Sequence, residues 1–181
     1  MNCYKLLDVD ITSLVDDISM IPRLPKDQKY WSSEADPKLF LKPNIYSKLN
    51  RLGELRGFIF EMAPNTEKHS IHIDMVASTK EPAWSGLNLI FEGQGAMKWF
   101  QPEKEGMIIE HPSPKYMYKA WFSNYGDPID IWDCGKVALV RTDIPHQVWN
   151  NNDTNRFIAS IRWSNRTSWE ETLDWFKYNF P

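Results

Sequence analysis

Cysteine is scarce in this chain: Cys3 and Cys134 are the two among 181 residues, and they show no CxxC spacing. They build no disulfide framework, so a reducing, intracellular setting is expected rather than a secreted scaffold. A basic excess is missing too. Lys and Arg number 21 against 24 Asp and Glu, for a net charge of −3, which argues against a nucleic-acid partner. No apolar run approaches the eighteen or so residues that a membrane span needs. The opening stretch "MNCYKLLDVDITS" has neither the basic nor the apolar region of a signal peptide. These absences together predict a cytoplasmic protein with no membrane attachment.

What is plentiful is aromatic. Nine Trp, nine Phe and seven Tyr accompany a 42% hydrophobic and 25% charged composition. That density suits a β-rich core or a lined pocket. From residue 55 onward, short apolar runs alternate with turn signals: "LRGFIFEM", "HSIHIDMV", "SGLNLIFEG", "GAMKWFQ", "YKAWF", "KVALVRTDI", "HQVWN" and "RFIASIRW". This is the rhythm of an antiparallel sandwich or barrel, not of alternating strands and helices. The Gly93-Gln94-Gly95 break predicts a tight hairpin, and "NNNDTN" predicts a turn joining the last two strands.

Ahead of this core, Ile11, Leu14, Val15 and Ile18 predict a helix over 11–21, closed by Pro22. The Pro-punctuated text that follows predicts a wrapping segment, with a second short helix near 44–52. Behind the core, Ser168 and Glu171 form a capping-box pattern, and Trp169, Leu173, Phe176 and Phe180 form one apolar stripe. The chain reads as one domain over 1–181. Its β core spans about 55–163, its wrapping segment 1–54 and its C-terminal helix about 168–180.

Histidine is the other scarce residue, at four: His69, His72, His111 and His146. Residues two apart on a strand share a face, so His72 and Asp74 in "HSIHIDMV" point the same way. His146, opening a later strand after Pro145, would complete a two-histidine, one-carboxylate set. Such a set covers one face of an octahedral ion and leaves positions open for ligands. His69 falls on the opposite strand face and His111 precedes a loop, so both read as ordinary surface residues. Arg156 opens the strand after His146 and shares a face with Ile158, Ser160 and Arg162. A guanidinium there is expected near the same mouth as His146, where it can fork onto a carboxylate while a hydroxyl adds a hydrogen bond.

The order HxD, distal His, then Arg resembles the Fe(II)/2-oxoglutarate-dependent oxygenases over about residues 55–163. "PHQVWNNNDTNRFIASIRW" is similar to the tail of their aspartyl/asparaginyl β-hydroxylase-like and small prolyl-hydroxylase-like branches. "GLNLIFEGQGAMKWF" resembles their central strands. The resemblance implies a mainly β fold, a double-stranded β-helix (the cupin-like jelly roll) with flanking helices. It also implies a dioxygenase that couples decarboxylation of 2-oxoglutarate to hydroxylation of an amino-acid, peptide or small-metabolite substrate by O2. His72, Asp74 and His146 would hold Fe(II), and Arg156, or its rival Arg162, would hold the distal carboxylate of 2-oxoglutarate. Ser160 would help, and Asn88 and Trp99 would line the pocket or else serve as a buried amide and a core indole. Asp74 departs from the classical β-hydroxylases of that branch, which lack the carboxylate. Two other readings stay open: a cupin-type metalloenzyme that uses no 2-oxoglutarate, and a metal-free jelly-roll module for binding or assembly.

Overall fold

Each of the eight apolar runs contains a strand of one of two facing antiparallel sheets, from three to eight residues long. The computed structural model describes residues 2–180 apart from 24, 26, 27, 68–70, 77–80, 95, 96, 111–115, 123, 124, 134 and 164–166. His69, His111, Cys134 and Gly95 therefore lie outside the described residues. In chain order the elements are β1 (Tyr4–Leu6), α1 (Ile11–Leu14), β2 (Tyr30–Ala35), a 3-10 turn (Pro37–Leu39), α2 (Pro43–Leu49), β3 (Leu55–Met62), β4 (Thr66–Glu67) and β5 (Ile71–Val76). There follow β6 (Glu81–Pro82), β7 (Ser85–Glu92), β8 (Met97–Trp99), β9 (Met107–Glu110), β10 (Tyr116–Trp121), β11 (Asp130–Trp132), β12 (Val137–Arg141), β13 (His146–Asn150), β14 (Arg156–Trp163) and α3 (Trp169–Asn179).

One sheet has the order β1-β12-β7-β14-β3-β2 and the other β11-β8-β13-β5-β10-β9, with β4 beside β13 and β6 beside β5. Along the chain from β3 to β14, the strands β3, β5, β7, β8, β10, β12, β13 and β14 distribute between the two sheets as a jelly roll, the double-stranded β-helix. That arrangement corrects the hairpin expected at Gly93. β7 and β8 lie in different sheets, and Gly93, at φ +74°, turns the chain from one to the other. The 150–155 turn also crosses between sheets. Asn150 holds it by donating through Nδ2 to the carbonyls of Met62, Ala63 and Thr154.

Strand alternation sorts the side chains into layers. In β14, Phe157, Ala159, Ile161 and Trp163 face outward into a core shared with Leu14, Phe40, Leu49, Trp169 and Phe176. Ile158 faces inward, with Ile90, Met97, Trp99, Trp132, Ala138 and Val140. β14 is buried on both faces, apolar on the outer one, whereas its inner face carries Arg156, Ser160 and Arg162 beside Ile158. A third cluster, Ile71, Ile73, Met75, Phe100 and Trp121, lies on the outer face of the second sheet. Leu89 is fully buried on the helix side of β7, turned away from the inner face. Leu89→Ala is expected to cost about 2–5 kcal/mol in urea unfolding while leaving metal affinity unchanged.

The termini close the outer core. Ser168 caps α3 reciprocally with Glu171, and Thr172 meets the Ser85 hydroxyl at 3.1 Å. The helix expected over 11–21 is confined to Ile11–Leu14. Val15 turns extended to bridge Leu41, and Asp16 N–H donates to the Phe40 carbonyl, so pairing with a distant segment ends the helix early. The wrapping segment contributes β2 to the sheet edge beside β3. Arg23 anchors it by forking onto Glu61 and Glu92 over the Phe157 ring. Among the described residues no helix is long and apolar enough to cross a membrane.

Candidate metal centre

His72 and Asp74 sit two apart on β5, facing the space between the sheets. The strand order places β13 directly beside β5, in a register that sets His146 opposite His72. The two imidazoles lie 4.5 Å apart between ring centroids, tilted by 50°. His72 is 5% exposed and His146 2%, whereas the Asp74 side chain is 34% exposed. One ligand atom from each of the three comes within 4.8 Å of the other two. Two imidazole nitrogens and a carboxylate oxygen in that compass suit a divalent transition metal bound on one face.

The surrounding hydrogen bonds orient these groups. His146 Nδ1 lies 2.9 Å from the Ile144 carbonyl, an acceptor, so Nδ1 carries the proton and Nε2 keeps its lone pair for a metal. Asp74 divides its oxygens: Oδ1 stands 3.7 Å from His72 Nε2, and Oδ2 accepts from Arg162 Nη2 at 3.2 Å. The Asp74 backbone is tied by its N–H to the Thr142 carbonyl and by its own carbonyl to the Ala83 N–H. Thr142 Oγ1 in turn donates to the Ala83 carbonyl at 2.6 Å. Cys3, buried nearby in the inner core, offers no thiolate. Burial, with Asp130 adding to it, pushes its thiol up to about 12.

The other sequence candidates divide into two groups. Asn88, Ser160 and Arg162 form a buried polar chain leading to Asp74. The Ser160 hydroxyl donates to Asn88 Oδ1 and accepts from Arg162 Nη1, which also approaches Asn88 Oδ1 at 3.5 Å. Trp99 flanks His146 in register, but its indole N–H donates to the Arg141 carbonyl at 2.8 Å and its ring stacks on Tyr4. It therefore offers the site apolar surface only.

Arg156 lies at the other end of the β14 inner face, paired with Met62 on β3. β13 and β14 part into different sheets after Asn150, so Arg156 reaches the space between the sheets from the sheet opposite His146 and not from a neighbouring strand. The guanidinium that touches a candidate ligand is that of Arg162. Arg156 is 1% exposed, with Nε donating to the Gln94 carbonyl at 3.2 Å and Nη1 3.9 Å from Met62 Sδ. Among the described residues its Nη2 finds no acceptor.

Fold and site together define a jelly-roll protein with a two-histidine, one-carboxylate candidate metal centre. No family model matches the chain, and no curated protein matches it either. It is similar in structure to oxalate decarboxylase from Bacillus subtilis, at 12% identity and a TM-score of 0.39 over 76% of this chain and 26% of that one. Salicylate 1,2-dioxygenase from Pseudoaminobacter salicylatoxidans aligns at 10% identity and a TM-score of 0.39, over 74% and 26%. Hazelnut (Corylus avellana) vicilin aligns at 11% and 0.39, over 77% and 30%. The chain thus spans between a quarter and a third of the length of each. Likeness at this level carries no argument about chemistry, which rests on the geometry of the site itself.

Proposed function

We propose that this protein is an Fe(II)- and 2-oxoglutarate-dependent oxygenase acting on a small-molecule or peptide substrate. The observation that carries the reading is Arg156. A guanidinium 1% exposed, with one nitrogen lacking any acceptor among the described residues, is a buried cation without its anion. Such a group costs several kcal/mol unless a ligand pairs with it. It lies on the inner strand face that ends, at Arg162, against the candidate metal ligand Asp74. A dicarboxylate with one end at the metal and the other forked by Arg156 satisfies both ends.

His72, Asp74 and His146 would hold the metal through two nitrogens and one oxygen, a donor set suited to Fe(II). Bound iron with its co-substrate would supply the oxidising chemistry: 2-oxoglutarate, O2 and a C–H substrate give succinate, carbon dioxide and the hydroxylated product. The chain's own contribution is positional. Ile144 fixes the His146 tautomer, and Arg162 neutralises Asp74 Oδ2. Ile90, Trp99, Trp132 and Ile158 keep the space between the sheets apolar and poor in water.

Anaerobic titration of 2-oxoglutarate into the Fe(II)-loaded protein tests the proposal. The visible charge-transfer band of a bidentate chelate is expected, and it should vanish in Asp74→Ala. A second reading, a cupin-type metalloenzyme without 2-oxoglutarate, is favoured by Arg162, which stands close enough to the site to hold a smaller carboxylate ligand directly. Metal binding without the band would select that reading, and no metal uptake at all would leave a jelly-roll binding module.

A further inference from the structure

We infer that Gly86 and Arg162 form one positioning device for Asp74, in which the missing side chain of the glycine is the seat of the arginine. The inference rests on reading His72, Asp74 and His146 as a metal site, but not on the co-substrate. Arg162 pairs in register with Gly86 across β14 and β7. A Cβ built on Gly86 would lie 1.8 Å from Arg162 Nη1, 2.5 Å from Cζ and 3.0 Å from Nε. The guanidinium therefore lies flat over the β7 backbone, in space that any other residue would fill. Glycine weakens a strand interior, and its presence in a buried strand marks a close approach. Gly86 has an ordinary φ, so backbone conformation does not explain it.

From that seat the guanidinium faces two ways. Nη1 meets the Ser160 hydroxyl and, at 3.5 Å each, Asn88 Oδ1 and the Ile161 carbonyl, while Nη2 donates to Asp74 Oδ2 at 3.2 Å. Asp74 is the most exposed of the three candidate ligands. With Oδ2 engaged, it presents Oδ1 toward His72 and is set up to bind through one oxygen. A carboxylate free to turn would chelate through both oxygens or swing into solvent, and would lose affinity for an ion held on one face.

The test is titration of the apoprotein with Co(II) alone, followed by its visible absorption, for wild type, Gly86→Ala, Arg162→Ala and the double variant. The atoms that the added methyl group would strike are the far end of a flexible side chain, so Gly86→Ala is expected to fold with the guanidinium displaced. Its Co(II) affinity should fall about 10- to 100-fold, the usual effect of losing an outer partner of a ligand. Arg162→Ala should fall equally, and the double variant no further than either single one. Affinity within about twofold of wild type in Gly86→Ala, or losses that multiply in the double variant, would overturn the device while leaving the metal site standing. If Gly86→Ala does not fold, the double variant should, because the collision is with Arg162 alone; its failure to fold would overturn the inference. Absence of Co(II) binding by the wild type would instead remove the metal site on which the inference rests.

Discussion

His146→Ala is expected to abolish both stoichiometric Fe(II) binding and 2-oxoglutarate turnover in a protein that still folds. His146 contributes one of two nitrogens in a three-ligand set, and the two that remain, His72 and Asp74, are neighbours on one strand. They approach an ion from one side only, so affinity should fall by at least the 10- to 100-fold that even outer partners command. The fold should tolerate the change. His146 lies at the start of β13, its backbone paired to β5 and β8 whatever the side chain, and its ring nitrogen bonds to the carbonyl of nearby Ile144. Metal content after gel filtration, with thermal unfolding of the apoprotein alongside, separates the two effects. Full metal occupancy and full turnover in a folded His146→Ala protein would rule out the three-residue site.

Arg156→Met should do the opposite to stability and comparable damage to co-substrate binding. Burial pushes the Arg156 guanidinium down to about 10, with Tyr30 opposing the shift, yet the group stays charged at neutral pH. An unpaired charge in the core works against folding, and apolar replacement of buried ionic groups is often neutral or stabilising by about 1–4 kcal/mol. Methionine has similar length and its thioether suits the Met62 neighbourhood. The apo variant should therefore match or exceed wild type in urea, while 2-oxoglutarate affinity falls on the order of 100-fold or more, roughly 3 kcal/mol. Saturating 2-oxoglutarate should raise the melting temperature of the Fe(II)-loaded wild type and not that of the variant.

The pH dependence follows from the lowered value. Above about pH 10 the unfolded chain holds this proton more tightly than the folded one, so wild-type stability gains with rising pH there. The advantage of the methionine variant should be constant through neutral pH and shrink above about pH 10. A variant less stable than wild type at pH 7, with unchanged 2-oxoglutarate affinity, would make Arg156 a structural residue.

Much of the architecture was legible because it is local. Each of the eight apolar runs holds a strand, the Ser168–Glu171 box caps α3, and His72 and Asp74 share a face as period-two spacing requires. The errors came where partner choice is non-local. Gly93 looked like a hairpin because flanking runs ordinarily pair, yet here they feed different sheets. The helix over 11–21 had the right periodicity, but Val15 gained more from bridging Leu41 than from another turn. Gly86 stands out locally as an isolated glycine inside the apolar run "SGLNLIFE", but nothing local says which side chain needs the space.

The sequence by itself thus determined eight of the strands, the shared face of His72 and Asp74 and the candidates for ligating a metal, since alternation and residue type are properties of short segments. Tertiary structure alone decided that β13 lies beside β5, bringing His146 onto His72, and that β14 crosses to the other sheet. That crossing assigned the two arginines different surroundings, Arg162 against Asp74 and Arg156 in a buried place where, among the described residues, its Nη2 meets no acceptor. The physical reason is that a strand's hydrogen-bonding edges are chemically alike along the whole chain. Only the simultaneous burial of all the apolar faces selects which edges meet.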